Sequence, residues 1–299
     1  MARAPVLRIY LDPPTLKGAR AGGQNFPRLV MAAVQSRGWR AELRESGDAE
    51  RLAARLRGGY ALFHMESPTH ERALTYRRSY IYPFWRIEKR AERWLWPVAQ
   101  ARFDAESVDP GPARDFVART RARVWPDARL PARRADWIYV PLQGILTRQR
   151  SFQTASPLTM LERVAQTFPN REIRASLHPR EVYTAADLFA LEALTGHHKN
   201  LTVGPLNPDR ALSECAFVVT ENSAVAFQGY FYHCPAVLFA GADFHHIALG
   251  PDRLTEAPDH RPDYDRYLWW FLRENAINAG APGVEDAILE AMKKGGWPL

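Results

Sequence analysis

Cysteine is nearly absent. Cys215 and Cys234 are only two in 299 residues, which argues against a disulfide framework or a zinc site and fits a reducing compartment. No uninterrupted apolar run approaches the roughly 20 residues that a helix needs to cross a bilayer. Residues 1–10 hold one short apolar run and lack the layout of a secretion signal, so the chain reads as cytoplasmic, with contact at the inner face of the membrane left open. Gly18, Gly22 and Gly23 do not form a G-x-G-x-x-G fingerprint, so a nicotinamide cofactor has little support and no cofactor is expected. They read instead as a flexible loop or an acceptor-binding loop. Zinc-finger, RRM-like and KH-like patterns are missing too, and nucleic acid is not the expected partner.

What remains is an ordinary globular composition, 46% hydrophobic and 24% charged, in a chain long enough for two α/β domains or one large one. The net charge is +7, carried mostly by Arg. A basic balance of this size can serve a sugar nucleotide, an anionic membrane or nucleic acid.

Strands and helices alternate along the chain. Residues 6–11, 39–44 and 60–64 read as strands, with helices over 26–36 and 49–56 between them. That order predicts a parallel sheet with right-handed crossovers. An aromatic and basic stretch over 76–103 reads as largely helical after Pro83, and 126–136, rich in Pro, Arg and Asp, reads as a linker. The alternation then restarts. Strands are expected at 137–142, 172–177, 201–203, 217–220 and 236–239, with helices at 156–168, 184–194 and 224–231. Two closing helices follow over 264–278 and 284–293. The predicted fold is α/β, with two Rossmann-like lobes. An acceptor-side lobe spans 1–135, a nucleotide-side lobe 136–262, and 263–299 packs helices between the lobes, crossing back to the first.

The most informative stretch runs from Phe217 to Ala226: a buried strand enters the polar turn Glu221-Asn222-Ser223 and opens onto a helix. Ligands of open α/β sheets collect at such strand ends, and Ser223 suits an N-cap that leaves amides free for an anion. Upstream, Ser176, His178, Pro179 and Arg180 end another strand. His and Arg can both donate to a phosphate, and Glu221 offers a carboxylate for ribose hydroxyls. The plainer reading has the histidine ring satisfied by backbone. In the first half, His64 and Glu66 end the third strand, and either can deprotonate an acceptor hydroxyl. Glu66 is the first choice, His64 the second, and Asp12, before a Pro-Pro loop, the third. Arg77, Arg78, Trp85 and Arg86 lie in a stretch mixing cations with rings, suited to an acidic saccharide or a membrane surface. Its plainer reading is an amphipathic helix with an aromatic core face. His245 and His246 read as a loop near the donor base or sugar rather than as metal ligands. The 264–278 helix is apolar nearly all round, with Tyr267, Leu268, Trp269, Phe271 and Leu272, which suits burial between lobes.

Tyr139-Val140-Pro141-Leu142-Gln143, His178-Pro179, and Thr220-Glu221-Asn222-Ser223 followed by Pro235-Ala236-Val237-Leu238-Phe239 resemble capsular polysaccharide biosynthesis proteins. Those are GT-B glycosyltransferases, many of which use CMP-activated Kdo. The pattern is more distantly similar to bacterial sialyltransferases. It covers residues 136–248 well, and the first half only through its alternation and Tyr82-Pro83-Phe84-Trp85-Arg86. The resemblance implies inverting, metal-independent transfer from a nucleotide-activated sugar, CMP-linked and Kdo- or sialic-acid-like, to a saccharide or glycolipid acceptor in surface polysaccharide synthesis. His178 and Ser223 would hold the nucleotide phosphate, with Gln143 beside the donor. The family often places an acid shortly after the Pro-Leu-Gln strand, where this chain has Gly144-Ile145-Leu146-Thr147-Arg148. A sugar-nucleotide 2-epimerase-like enzyme and a non-catalytic saccharide-binding partner are the alternatives.

Overall fold

The run Val-Leu-Arg-Ile-Tyr-Leu forms β1 (Val6–Leu11), with Leu7, Ile9, Tyr10 and Leu11 all buried. A strand with apolar residues on both faces belongs inside a covered parallel sheet. In the computed structural model, which describes residues 4–23 and 25–299, β1 pairs in parallel with β2 (Arg40–Glu45) on one side and β3 (Tyr60–His64) on the other. Beyond β3 lie β4 (Ala73–Arg78), parallel to it, and β5 (Phe84–Glu88), antiparallel to β4. Helices α1 (Pro13–Arg20), α2 (Asn25–Gln35) and α3 (Asp48–Leu56) provide the connections. The face of α2 is set by its sequence. Phe26, Leu29, Val30, Ala33 and Val34, three and four residues apart, are all buried.

Two expectations fail in this half. The 76–103 stretch is not largely helical: β4 and β5 form an antiparallel pair that sets Tyr76 opposite Ile87 and Arg78 opposite Trp85, and only short helical turns follow. Tyr, Phe, Trp and Ile fit a pleated buried surface well, and here packing decides over the basic, helix-like spacing. The Pro-Pro segment is not a loop either. Pro13 and Pro14 open α1, where a missing N–H costs nothing, and the Asp12 carboxylate accepts from the Thr15 N–H at 3.0 Å.

The second sheet has the order β10-β9-β6-β7-β8 and is parallel throughout. Its strands are β6 (Trp137–Pro141), β7 (Glu172–Ser176), β8 (Leu201–Val203), β9 (Phe217–Thr220) and β10 (Ala236–Leu238), close to the expected positions. Around it run α4 (Pro97–Gln100), α5 (Pro110–Val124), α6 (Pro157–Thr167), α7 (Ala185–His197), α8 (Pro208–Glu214), α9 (Ala224–Tyr230) and α10 (Tyr264–Trp269). Ser156 caps α6 with Pro157 at its first position, as its sequence predicts. Thr184 and Asp187 form a capping box on α7.

The chain divides into two compact units, Met1–Pro97 with Leu272–Leu299, and Val98–Phe271. The division does not fall in 126–136. That stretch is tied to the second unit by Arg134, whose guanidinium donates to the carbonyls of Leu212 at 3.0 Å, Cys215 at 2.8 Å and Tyr232. Residues 98–135 therefore belong with the second unit, where α5 packs on α10. The expected single helix over 264–278 breaks as well. It passes from α10 through a π-helical turn at Trp270–Glu274 to β11 (Ile277–Asn278). Among its aromatic residues, Trp269 packs on Phe116, Trp270 on Phe103 and Phe271 on Phe227. What returns to the first unit is β11, paired with β5, and α11 (Val284–Lys294), packed on α2 and β5.

Each sheet reverses its winding once. In the first, β1 has β2 on one side and β3 on the other; in the second, β6 lies between β7 and β9. The carboxyl end of a sheet at such a reversal is where α/β folds form a crevice and bind ligands.

Candidate active site

At the reversal of the second sheet, Gln143 follows β6 and Asn222 follows β9. The Asn222 N–H donates to Gln143 Oε1 at 3.3 Å, and its side-chain amide donates to the Gly241 carbonyl at 2.8 Å, drawing in the loop after β10. Ser223 caps α9, its Oγ accepting from the Val225 N–H at 3.3 Å. Gln143, Asn222 and Ser223 thus come together as the sequence predicts.

The end of β7 supplies the cations. His178 is exposed, and its Nδ1 accepts from the Arg180 N–H at 3.2 Å while its own N–H donates to the Tyr183 hydroxyl at 2.8 Å. An Nδ1 used as acceptor puts the proton of the neutral ring on Nε2. The plainer reading of this histidine therefore holds for one nitrogen, and the other remains a donor. The Arg180 guanidinium is exposed and has no partner among the described residues.

Two expected donor ligands are placed differently. Ser176 is buried, its hydroxyl 3.0 Å from that of Tyr139, so it ties β7 to β6. Glu221 is wholly buried, with neither carboxyl oxygen in a hydrogen bond of good geometry among the described residues. Burial pushes its carboxyl up to about 7, offset in part by its own backbone amide and by Arg150. A carboxyl sealed beneath the turn does not present itself to ribose hydroxyls in this state. In the loop after β6, Ile145 adopts a left-handed φ of 61°, a strained choice for a β-branched residue.

In the first sheet, His64 ends β3 and Asp12 follows β1. His64 Nδ1 lies 3.5 Å from Asp12 Oδ2, and its ring packs 4.8 Å from that of Tyr76. Burial lowers the His64 pKa below the ordinary histidine value. The Asp12 carboxylate opposes that shift, whereas Arg77 and Arg78 add to it. Burial alone would raise the Asp12 carboxyl, but bonds from Thr15 and His64 hold it below the usual range. Glu66, the first choice from sequence, is engaged elsewhere: its Oε2 accepts from the Ser46 hydroxyl and pairs with Arg51 at 3.1 Å. The Asp12–His64 pairing itself was not visible in sequence, because it depends on strand order.

Of the four residues expected to meet an acceptor, two are core. Trp85 is 8% exposed and stacks on Phe26 at 4.7 Å, and Arg86 is buried 4.0 Å from Glu88. Rings on a strand next to the covering helix are drawn into its core. Arg78 is exposed, and Arg77 donates to the Met65 carbonyl. His245 and His246 are structural. His245 bonds the Ala242 carbonyl at 2.8 Å, while His246 bridges the Tyr267 hydroxyl and the Ala101 carbonyl. Among the described residues no group of three or more His, Cys, Asp or Glu gathers as a metal site requires.

No protein-family model matches the chain, and no curated protein matches its sequence significantly. Among solved structures, the KpsC beta Kdo 2,7 transferase of Thermosulfurimonas dismutans is similar over 97% of this chain and 99% of its own, with a TM-score of 0.51 and 12% identity. The KpsC beta Kdo 2,4 transferase of the same organism gives 0.49 at 12% identity, over 89% and 90% of the two chains. A putative UDP-N-acetylglucosamine 2-epimerase from Listeria monocytogenes gives 0.39 at 15% identity, over 98% and 96%. At such identity the likeness to the first is one of fold. The chain has two Rossmann-like sheets in a GT-B-like arrangement, and its fold is similar to that of the KpsC beta Kdo 2,7 transferase over 97% of this chain.

Proposed function

We propose that the protein is a glycosyltransferase that moves a Kdo- or sialic-acid-like sugar from a CMP-linked donor to a saccharide or glycolipid acceptor during surface polysaccharide synthesis. The observation that carries this reading is the polar shell at the reversal of the second sheet. Gln143, Asn222 and Ser223 gather there, and His178 and Arg180 follow the adjoining strand with side-chain donors unengaged among the described residues. Nε2–H of His178 and the Arg180 guanidinium meet the negative charge of the departing phosphate. Transfer in this reading needs no divalent cation.

The base is His64. Its lowered pKa keeps the ring neutral near pH 7, and Asp12 orients it and stabilises the imidazolium that forms. As the acceptor oxygen gives its proton to a base, it bonds to the anomeric carbon, and the bond to the phosphate oxygen breaks with inversion. Arg77 and Arg78, close enough to His64 to depress its pKa, suit an anionic acceptor.

A thermal-shift screen against CMP, UDP, GDP and their sugar conjugates tests the donor. A ligand bound to the native state alone raises Tm by mass action, and CMP or its conjugates are expected to give the largest shift. Incubation with donor then separates the alternatives, since an epimerase needs no acceptor and a silent binder gives no product. The anomeric configuration of the product, read by NMR, checks the displacement. Retention would require a carboxylate nucleophile in place of the direct attack.

A further inference from the structure

Helix α7 turns an apolar face to solvent. Ala185, Leu188, Phe189 and Ala193 are exposed there, with Glu192 as the one outward acid. Phe189 is 75% exposed, and Val182, just before the helix, 92%. Soluble proteins seldom leave such groups contiguous without a use for them. The loop after β6 joins the same patch. The Thr147 N–H and hydroxyl both donate to Asp187 Oδ1 in the first turn of α7, at 3.1 and 3.0 Å, which brings exposed Ile145 and Arg148 alongside. On its flank, a groove of about 540 Å³ between α6 and α7, lined in part by Leu158, Ala190 and Leu194, extends the apolar surface inward.

Cations frame this patch. The side chains of Arg148, Arg180 and Lys199 are exposed and make no ion pair or hydrogen bond among the described residues. The opposing acid Glu181 is folded back over Gly144, where its carboxylate fills the space that a Cβ would take. An exposed apolar strip with unpaired cations at both ends suits the surface of an anionic bilayer, the apolar groups entering it and the cations meeting its headgroups. We propose that α7, with Val182 and the β6 loop, docks on an anionic phospholipid surface. The inference rests on the transferase reading only for its purpose, which is to present the His178 strand end close to a lipid-linked acceptor.

Flotation of the full chain with vesicles tests it, comparing phosphatidylcholine alone with phosphatidylcholine containing phosphatidylserine. Binding is expected only to the anionic vesicles and to weaken as salt rises. Val182→Glu with Phe189→Glu should lower partitioning at least tenfold, and Arg148→Glu with Lys199→Glu by roughly fivefold or more per cation. The CMP-induced Tm shift should be the same in both variants, since neither changes a donor ligand. Equal flotation of wild type and variants, or no flotation, overturns the proposal. So does loss of binding only in Leu52→Glu with Leu56→Glu, the exposed pair on α3. Concentration-dependent dimerisation abolished by the Phe189 variant would assign the face to a second copy and also overturn it. If vesicles bind but no nucleotide shifts Tm, the membrane surface stands and the transferase reading fails. The converse result separates them the other way.

Discussion

His64 and Asp12 form the smallest unit whose behaviour can be predicted. Asp12 stabilises the charged ring, so Asp12→Asn should move the acid limb of the kcat profile to lower pH and reduce its plateau. His64→Gln should lower turnover by about two to four orders of magnitude with donor affinity kept. If Glu66→Gln shows that loss and His64→Gln does not, the base is misassigned. His178→Ala should weaken nucleotide binding by roughly 1.5–3 kcal/mol, the cost of a hydrogen bond to a charged group, and calorimetry on the folded variant reads it. Glu221 makes a separate prediction about stability. Its carboxyl titrates at about 7 when folded against 4.5 otherwise, so the native state holds the extra proton between those values. Stability therefore falls as pH rises through that window. Glu221→Gln keeps the shape of the neutral acid and cannot ionise. Denaturant titrations should find it equal to wild type near pH 5 and more stable near pH 8, by up to roughly 3 kcal/mol.

Between residues and the whole stand the elements, and here the β4–β5 pair separates packing from recognition. Trp85→Ala should cost about 3–5 kcal/mol of stability, as a large side chain lost from a core does. If it instead spares Tm and raises KM for acceptor, the ring faces substrate and the packing account fails. The hairpin was hidden in sequence for a physical reason. Strand and helix periods compete in short stretches dense with rings and cations, and only the pairing of Tyr76 with Ile87 resolves them. By contrast α2, with its apolar spacing of three and four, and α6, with Ser156 and Pro157 at its start, were legible because their signals are local. The crevice on the second sheet was legible for the same reason: each polar group stands directly after an apolar strand. Local patterns did not reveal that Glu221 turns inward, nor that Asp12 meets His64, because both follow from strand order.

At the scale of the whole molecule, the first unit is assembled from both ends of the chain. Trp297 is buried with its ring 6.1 Å from that of Trp39 and 5.2 Å from that of Tyr60, and Met292, Leu289 and Ile288 join the same core. A chain emerging from the ribosome at about 5–20 residues per second completes Val98–Phe271 while residues 4–97 still lack their last strand and covering helix. The N-terminal sheet then waits, on the order of ten to forty seconds, for β11 and α11. The half that carries the proposed base is thus completed after the donor half, and a chain cut before β11 should carry a donor half without a completed base half.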